Sequence, residues 1–122
     1  MMRAATATAK QTPSSPRTDE AAALKQLAKQ AGDAAQLLKM LANEKRLLIL
    51  CFLAVRGEMT VGELVGIVKL SQSALSQHLA KLRADGLVEF RRTSQTLHYR
   101  VADPRALRLL QVLKDIYCGE LK

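Results

Sequence analysis

The hydrophobic and polar positions divide the chain into helical segments and one extended hairpin. The first helical pattern begins at Asp19, where leucines and alanines recur at alternating intervals of three and four residues. This spacing predicts a long helix with one narrow apolar seam, made of Leu24, Leu27, Ala31, Ala34, Leu38 and Leu41. Such a seam packs within the chain or against a second helix, and its alanines favour close contact between two copies.

A second helix is predicted from Asn43, a preferred N-cap residue, to Gly57, which ends it. We expect this helix to be largely buried through a face that carries Leu47, Leu50, Cys51 and Ala54. The next helix begins with a capping box, in which Thr60 is the N-cap and Glu63 stands three positions later.

A helix-turn-helix is predicted in the segment that this capping box opens. The short helix ends near residues 69–70, and Ser71 then caps another helix, which Gly86 closes. At about 100° per residue, the apolar side of this second helix carries Leu75, Leu79 and Leu82. The opposite side is short, polar and uncharged, and it carries Ser73, Ser76, Gln77 and Ala80.

After Gly86 the period of the pattern changes to two, which predicts a two-stranded hairpin with a polar turn at residues 93–95. Asp103 and Pro104 then open a last helix, which Gly119 can end. Its apolar stripe contains Leu107, Leu110, either Leu113 or Lys114, and Tyr117. The predicted fold is therefore mainly α with a small β hairpin: four helices, two strands and a final helix, as in a winged helix-turn-helix.

Charge narrows the choice of partner. The chain has 122 residues and a net charge of +8, and its length suits one domain, which we place at residues 19–119. Residues 1–18 hold three bases and no acid, and we expect a disordered basic tail there. Residues 69–100 hold six bases against two acids. This distribution favours double-stranded DNA, whereas an aromatic content of 3% disfavours stacking on single strands.

The polar face of the second helix of the helix-turn-helix is the candidate for reading bases. Serine and glutamine donate to and accept from base edges, and small side chains let a helix enter the major groove. Nearby cations on the helix and the hairpin would contact phosphates. The predicted DNA-binding residues are Ser71, Gln72, Ser73, Ser76, Gln77, Lys81, Arg83, Arg91, Arg92 and Arg100. An ordinary solvated helix face is the competing interpretation.

No enzymatic motif is present in the sequence: it contains no Cys-x-x-Cys pair, nucleophile elbow or phosphate-binding loop. We therefore predict that the protein is not an enzyme and needs no cofactor. No apolar run approaches the roughly 20 residues of a membrane span. The spacing of Cys51 and Cys118 alone favours two small buried apolar residues.

Residues from about 34 to 118 resemble the ArsR family of bacterial winged-helix repressors. The resemblance rests on LLKMLANEKRLLIL, on ELVGIVKLSQSALSQHLAKLRADGLVEFRR and on LHYRV, of which SQSALSQHLAKLRADGLV is the most specific part. It implies a repressor in the cytoplasm whose binding to an imperfectly palindromic operator is relieved by an inducer. It also implies a homodimer through the first and last helices, for which the candidate residues are Leu24, Leu27, Leu38, Leu110, Leu113 and Tyr117.

The cysteines indicate a branch of that family. Many members bind metals through a Cys-x-Cys pair, but the corresponding segment here, MTVGELVGIV, has no cysteine, so we predict no metal site. The placement of Cys51 and Cys118, together with RRTSQTLHYR, resembles the BigR- and SqrR-like branch that senses sulfide and persulfide. This resemblance implies that reactive sulfur or an oxidant joins the two thiols through a disulfide or polysulfide link. A metal-responsive or inducer-independent repressor with structural cysteines remains the alternative. The sequence departs from many relatives at residues 43–44, where Asn-Glu replaces His-Pro.

Overall fold

A computed structural model describes residues 18–119. The elements along the chain are α1 (Thr18–Leu41), α2 (Glu44–Arg56), β1 (Met59–Thr60), α3 (Val61–Val68), α4 (Gln72–Ala84), β2 (Val88–Thr93), β3 (Thr96–Val101) and α5 (Pro104–Cys118). The winged helix-turn-helix with mainly helical content is confirmed. The predicted tail lies outside the described residues, apart from Thr18, which begins α1. None of the helices in this part of the chain has the length and apolar character needed to cross a membrane.

The chain divides into two units at a boundary within α1, between Gln36 and Leu37. In the first unit, the seam residues Leu24 and Leu27 are 56% and 60% exposed. In the second unit, Leu37 and Leu41 are buried in the core. The predicted seam is therefore divided, because Leu41 is buried within the second unit whereas Leu24 and Leu27 are exposed to solvent.

The helices begin where local side-chain chemistry predicts. In each predicted N-cap the side-chain oxygen accepts a backbone N–H from the first turn, at Asn43, Thr60, Ser71 and Asp103. The capping box of α3 is complete, because Glu63 Oε1 accepts from the Thr60 N–H at 2.9 Å and Thr60 Oγ1 from the Glu63 N–H at 3.2 Å. Gly57 ends α2 with φ of 88°, which favours glycine, and donates its N–H to the Leu53 carbonyl.

The core of the second unit forms where α2, α3, α4 and α5 bury their apolar faces with the sheet. The predicted buried face of α2 needs correction. Its fully buried residues are Ile49, Leu50 and Leu53, whereas Leu47, Cys51 and Ala54 are only half-buried. The buried stripe of α2 is therefore rotated relative to the predicted buried face. Leu47, Cys51 and Ala54 form a flank of α2 that remains accessible.

The sheet has three antiparallel strands in the order β1-β3-β2. The hairpin of β2 and β3 is confirmed, with a two-residue turn at Ser94 and Gln95. The pattern of the sequence missed β1, in which Met59 pairs with Tyr99 and Thr60 with His98. Because Thr60 also caps α3, the first helix of the helix-turn-helix is joined directly to the hairpin.

Candidate DNA-reading surface and cysteine groove

The buried leucines of α4 fix which side of that helix meets solvent. Leu75, Leu79 and Leu82 are no more than 1% exposed, as the face analysis predicts. On the opposite side, the predicted base-reading residues are all exposed, namely Gln72, Ser73, Ser76 and Gln77. Ser71 has a different role, because its Oγ accepts the Ala74 N–H at 3.1 Å and so starts the helix. The helix thus presents short polar side chains at its N-terminal end, where a recognition helix contacts bases.

Two of the three predicted wing arginines are paired with carboxylates of the chain itself. Arg91 donates to Glu58 from Nε at 2.9 Å and from Nη2 at 2.8 Å. Arg100 Nε donates to Glu89 Oε2 at 2.6 Å. These hydrogen bonds from Arg91 hold the pKa of the Glu58 carboxyl below its ordinary value, so that the carboxylate stays charged. The positive charge on this part of the wing is therefore smaller than the count of arginines predicts.

The remaining predicted cations differ in how freely they can meet a phosphate. The guanidinium of Arg83 lies over the Phe90 ring, with Cζ 4.4 Å from the ring centroid, so it is held against the base of the wing. Lys81 and Arg92 are exposed, and neither forms an ion pair with another residue of the range 18–119. These two are the best-placed cations for phosphates among the predicted set.

The sequence could have indicated the Arg100–Glu89 pair once the strand register was known, because the two residues are opposite each other in the hairpin. It could not have indicated the Arg91–Glu58 pair.

A groove of about 540 Å³ lies between α2 and α5 and brings the two cysteines to one place. Both cysteines are free thiols; Cys51 is half-buried and Cys118 is exposed. The groove is lined by Leu47, Leu48, Cys51, Phe52, Ala54, Val55, Leu110, Gln111, Leu113, Lys114, Tyr117 and Cys118. The accessible flank of α2 noted above is therefore one wall of this groove.

The surroundings of the two thiols make them unequal. Burial raises the pKa of the Cys51 thiol, and negative charge on Cys118 raises it further. Arg46, five positions before Cys51, donates from Nη1 to the Met40 carbonyl at 3.1 Å and so caps the end of α1. Cys51 is thus the less reactive thiol at neutral pH, because it is mostly protonated and partly shielded.

The expected dimer surface on α5 also needs correction. Leu110 is 1% exposed within its own chain, so it is not available to a partner. Leu113 is half-buried and Tyr117 is 80% exposed, and both line the groove. A different exposed apolar pair, Val112 and Ile116, lies on another side of α5. The apolar spacing of α5 does not reveal this pair, because the predicted stripe assigned the same residues to the core and to the interface.

No group of three or more His, Cys, Asp and Glu side chains within residues 18–119 is placed to hold a metal ion.

The fold and the exposed face of α4 define a DNA-binding transcriptional regulator of the winged helix-turn-helix class. The chain belongs to the arsR family of bacterial regulatory proteins, and the model of this family matches residues 43–89. Over 95 residues it is 46% identical to the transcriptional activator HlyU of Vibrio cholerae, an alignment that covers 78% of this chain and 87% of HlyU.

Solved structures agree with this assignment. Reduced HlyU from Vibrio cholerae matches with a TM-score of 0.71 and 46% identity, covering 77% of this chain and 98% of that chain. The transcriptional repressor BigR of Xylella fastidiosa matches with a TM-score of 0.70 and 39% identity, covering 80% of this chain and 96% of that chain. These relatives are transcriptional regulators, so the protein is a regulator and not an enzyme.

Proposed function

We propose that the protein is a homodimeric repressor that releases its operator when reactive sulfur or an oxidant links Cys51 to Cys118. The observation that carries this proposal is that α2 and α5 each place one free thiol in the same groove. Membership of the arsR family supports DNA binding, and the resemblance to the BigR- and SqrR-like branch supports the choice of inducer.

DNA recognition is assigned to α4 and the wing. The exposed serines and glutamines of α4 read base edges in the major groove, while Lys81 and Arg92 contact phosphates. In a dimer, the two copies of α4 bind half-sites about 34 Å apart, which requires an imperfect palindrome. Repression follows when the occupied operator overlaps a promoter.

The dimer is assigned to apolar residues that the chain leaves exposed. Leu24, Leu27 and Leu38 are each more than half exposed along α1, which suits a helix that meets a partner. On α5 the exposed pair Val112 and Ile116 joins Tyr117 as the contact surface. A link between α2 and α5 would then act on the same helix that holds the two copies together.

The sensing reaction begins with a thiolate and a hydropersulfide, R–S–SH. The Cys118 thiolate attacks the outer sulfur, which breaks the S–S bond, forms Cys118–S–SH and releases R–S⁻. The Cys51 thiol loses its proton to solvent, and its thiolate attacks Cys118 Sγ, which breaks the bond between Sγ and the outer sulfur. A Cys51–Cys118 disulfide forms and HS⁻ leaves, so the two thiols lose two electrons and the hydropersulfide gains them.

Gel-shift assays and intact-protein mass spectrometry on the same samples test this proposal. The full-length protein is treated with a persulfide donor, with hydrogen peroxide or with zinc, and both measurements are made. We expect the persulfide donor to join Cys51 to Cys118 and to release a DNA fragment containing the palindrome. Cys51→Ser and Cys118→Ser proteins should remain bound to DNA under the same treatment.

Other outcomes would contradict the proposal. Release by zinc with both thiols unmodified would favour the metal-responsive alternative. If the protein with a complete Cys51–Cys118 link bound DNA as well as the unlinked protein, the link would not control DNA binding. A promoter–reporter assay shows the direction of control, since the relative HlyU carries the name of an activator. Reporter expression that falls when the gene is deleted would contradict repression.

A further inference from the structure

The walls of the cysteine groove, which lies between α2 and α5, are mostly apolar. Apart from the two thiols, apolar and aromatic side chains form nearly all of the lining, and the only polar groups on it within the described residues are those of Gln111, Lys114 and Tyr117. Among residues 18–119, no carboxylate is part of this lining. The volume of about 540 Å³ lies within the range of cavities that hold small molecules. A reagent that reaches both thiols therefore has to contact apolar surface on both α2 and α5.

We propose that this groove binds uncharged, apolar sulfane-sulfur compounds, such as dialkyl trisulfides, and selects them over charged reagents with the same reactive bond. The inference rests on the proposed function and specifies its inducer class. Apolar substituents of the reagent replace water against Leu48, Phe52 and Val55. A reagent that carries carboxylates must instead leave those charges in water or lose their hydration. Lys114 is the only cation of this lining among the described residues, so the groove favours the uncharged class through its larger apolar area.

The reaction with a trisulfide, R–S–S–S–R, balances without any further oxidant. The Cys118 thiolate attacks an outer sulfur, so that Cys118–S–S–R forms and the hydropersulfide anion R–S–S⁻ leaves. The Cys51 thiol gives its proton to solvent, and its thiolate attacks the Cys118 sulfur. A Cys51–Cys118 disulfide forms and R–S⁻ leaves. Two thiols are oxidised by two electrons, and the trisulfide is reduced to one hydropersulfide and one thiol.

A competition between two trisulfides tests the selection. The rate at which the full-length protein forms the Cys51–Cys118 link is measured by mass spectrometry with neutral dipropyl trisulfide and with anionic glutathione trisulfide. Each rate is divided by the rate of the same reagent with N-acetylcysteine amide, which has no groove. We expect the normalised ratio to favour the neutral reagent roughly tenfold or more, the gain from burying about two methylene groups. The net charge of +8 works in the opposite direction, because it attracts the anion.

Val55 provides a matched pair of variants, since it lines the groove and is 60% exposed. Val55→Gln makes this wall polar and should bring the ratio towards that of the free thiol, whereas Val55→Leu keeps the wall apolar and should preserve the ratio. An unchanged ratio in Val55→Gln would overturn the assignment to the groove. Equal normalised rates for the two trisulfides in the natural protein would overturn the proposed selection. A groove that is occupied by a second copy of the chain in the dimer would also overturn it. Failure of both trisulfides and of the persulfide donor to link the thiols would instead overturn the proposed function.

Discussion

Arg91 and Glu58 are joined by two parallel hydrogen bonds of 2.9 Å and 2.8 Å, although 33 positions separate them in the chain. The pair connects the middle of β2 to the residue that precedes β1. Nε and Nη2 of the Arg91 guanidinium both bind the one carboxylate, a geometry that orients both side chains. Arg91 therefore connects the wing to the segment before β1, and we expect its neighbour Arg92 to contact phosphates.

Replacing Arg92 with alanine should lower the salt dependence of DNA binding. Because each cation that neutralises a phosphate releases counterions, the slope of log K against log salt should fall by about one. Arg91→Ala is the control and should change the slope less, since its charge is already compensated by Glu58. Fluorescence anisotropy of a labelled operator across a salt series measures both. A larger change in Arg91→Ala would contradict this division of roles.

Gln77→Ala should reduce the preference for operator over random DNA. Loss of a bidentate contact to a base costs about 1–3 kcal/mol of discrimination. Arg92→Ala should weaken binding to both DNAs more evenly, because phosphates carry no sequence information. Competition titrations with operator and scrambled duplexes give the two specificity ratios. If Arg92→Ala lost more specificity than Gln77→Ala, bases would not be read by α4 at this position.

The two thiols should be alkylated in a fixed order. At neutral pH iodoacetamide should modify exposed Cys118 before half-buried Cys51, whose pKa is raised by burial and by charge on Cys118. The rate at Cys51 should still be rising at a pH where a thiol with the ordinary pKa of 9.0 is already fully ionised. Cys118→Ser removes one of the two causes, so Cys51 should react at a lower pH in that variant. Peptide mapping over a pH series would reveal the opposite order or an unshifted Cys51.

Asp103 should make α5 sensitive to acid. Arg105 lowers the pKa of the Asp103 carboxyl by a side-chain hydrogen bond, and the N–H groups of Arg105 and Ala106 lower it further. A carboxyl with a lowered pKa stabilises the fold above its ordinary value, 3.8, and this stabilisation is lost as the pH falls through the lowered value. Asp103→Ala should cost about 1 kcal/mol at pH 7 through loss of the N-cap.

Thermal unfolding at pH 7 and near pH 2.5 separates the two contributions. Asp103→Asn keeps an N-cap oxygen, so it should lose less stability at pH 7 and should show a weaker dependence on acid than the natural protein. An equal loss in both variants at pH 7 would mean that charge, and not the cap, dominates.

Ser94→Gly should stabilise the hairpin. Ser94 has φ of 56°, a region that costs a residue with a side chain about 1–2 kcal/mol and costs glycine little. Part of this gain is offset by the greater freedom of glycine in the unfolded chain, so we expect about 0.5–1 kcal/mol. Gln95→Gly is the control, because Gln95 lacks a positive φ and should gain nothing. Urea unfolding that ranked the two variants equally would contradict the role of the turn geometry.

The features that the sequence predicts well are those decided within a few residues. Asn43, Thr60, Ser71 and Asp103 cap their helices because an N-cap needs only a side-chain oxygen and the next turn of backbone. The inward leucines of α4 follow from helical spacing in the same way. The cysteine pair was found through resemblance to a family, since no local rule brings together residues 67 positions apart.

The features that were missed depend on partners distant in the chain. β1 has two residues, which is too short to show an alternation of apolar and polar positions. It forms because Met59 and Thr60 pair with Tyr99 and His98 of β3. The pairing of Arg91 with Glu58 has the same origin. On α2 and α5, the spacing shows which residues are apolar. It does not show which of these residues pack in the core, which line the groove and which are exposed to solvent.

Thr60 has a consequence for how any signal reaches DNA. It caps α3, pairs with His98 of β3, and stands two residues after Glu58, which holds Arg91. Helix-turn-helix and wing are therefore joined at one corner, and we expect them to move as one unit. In the proposed dimer, we expect an inducer that acts on α2 and α5 to change the separation and angle between the two copies of this unit. Each half-site should accordingly be protected over the same length whenever it is occupied, and a longer or shorter spacer between half-sites should restore binding by the linked form.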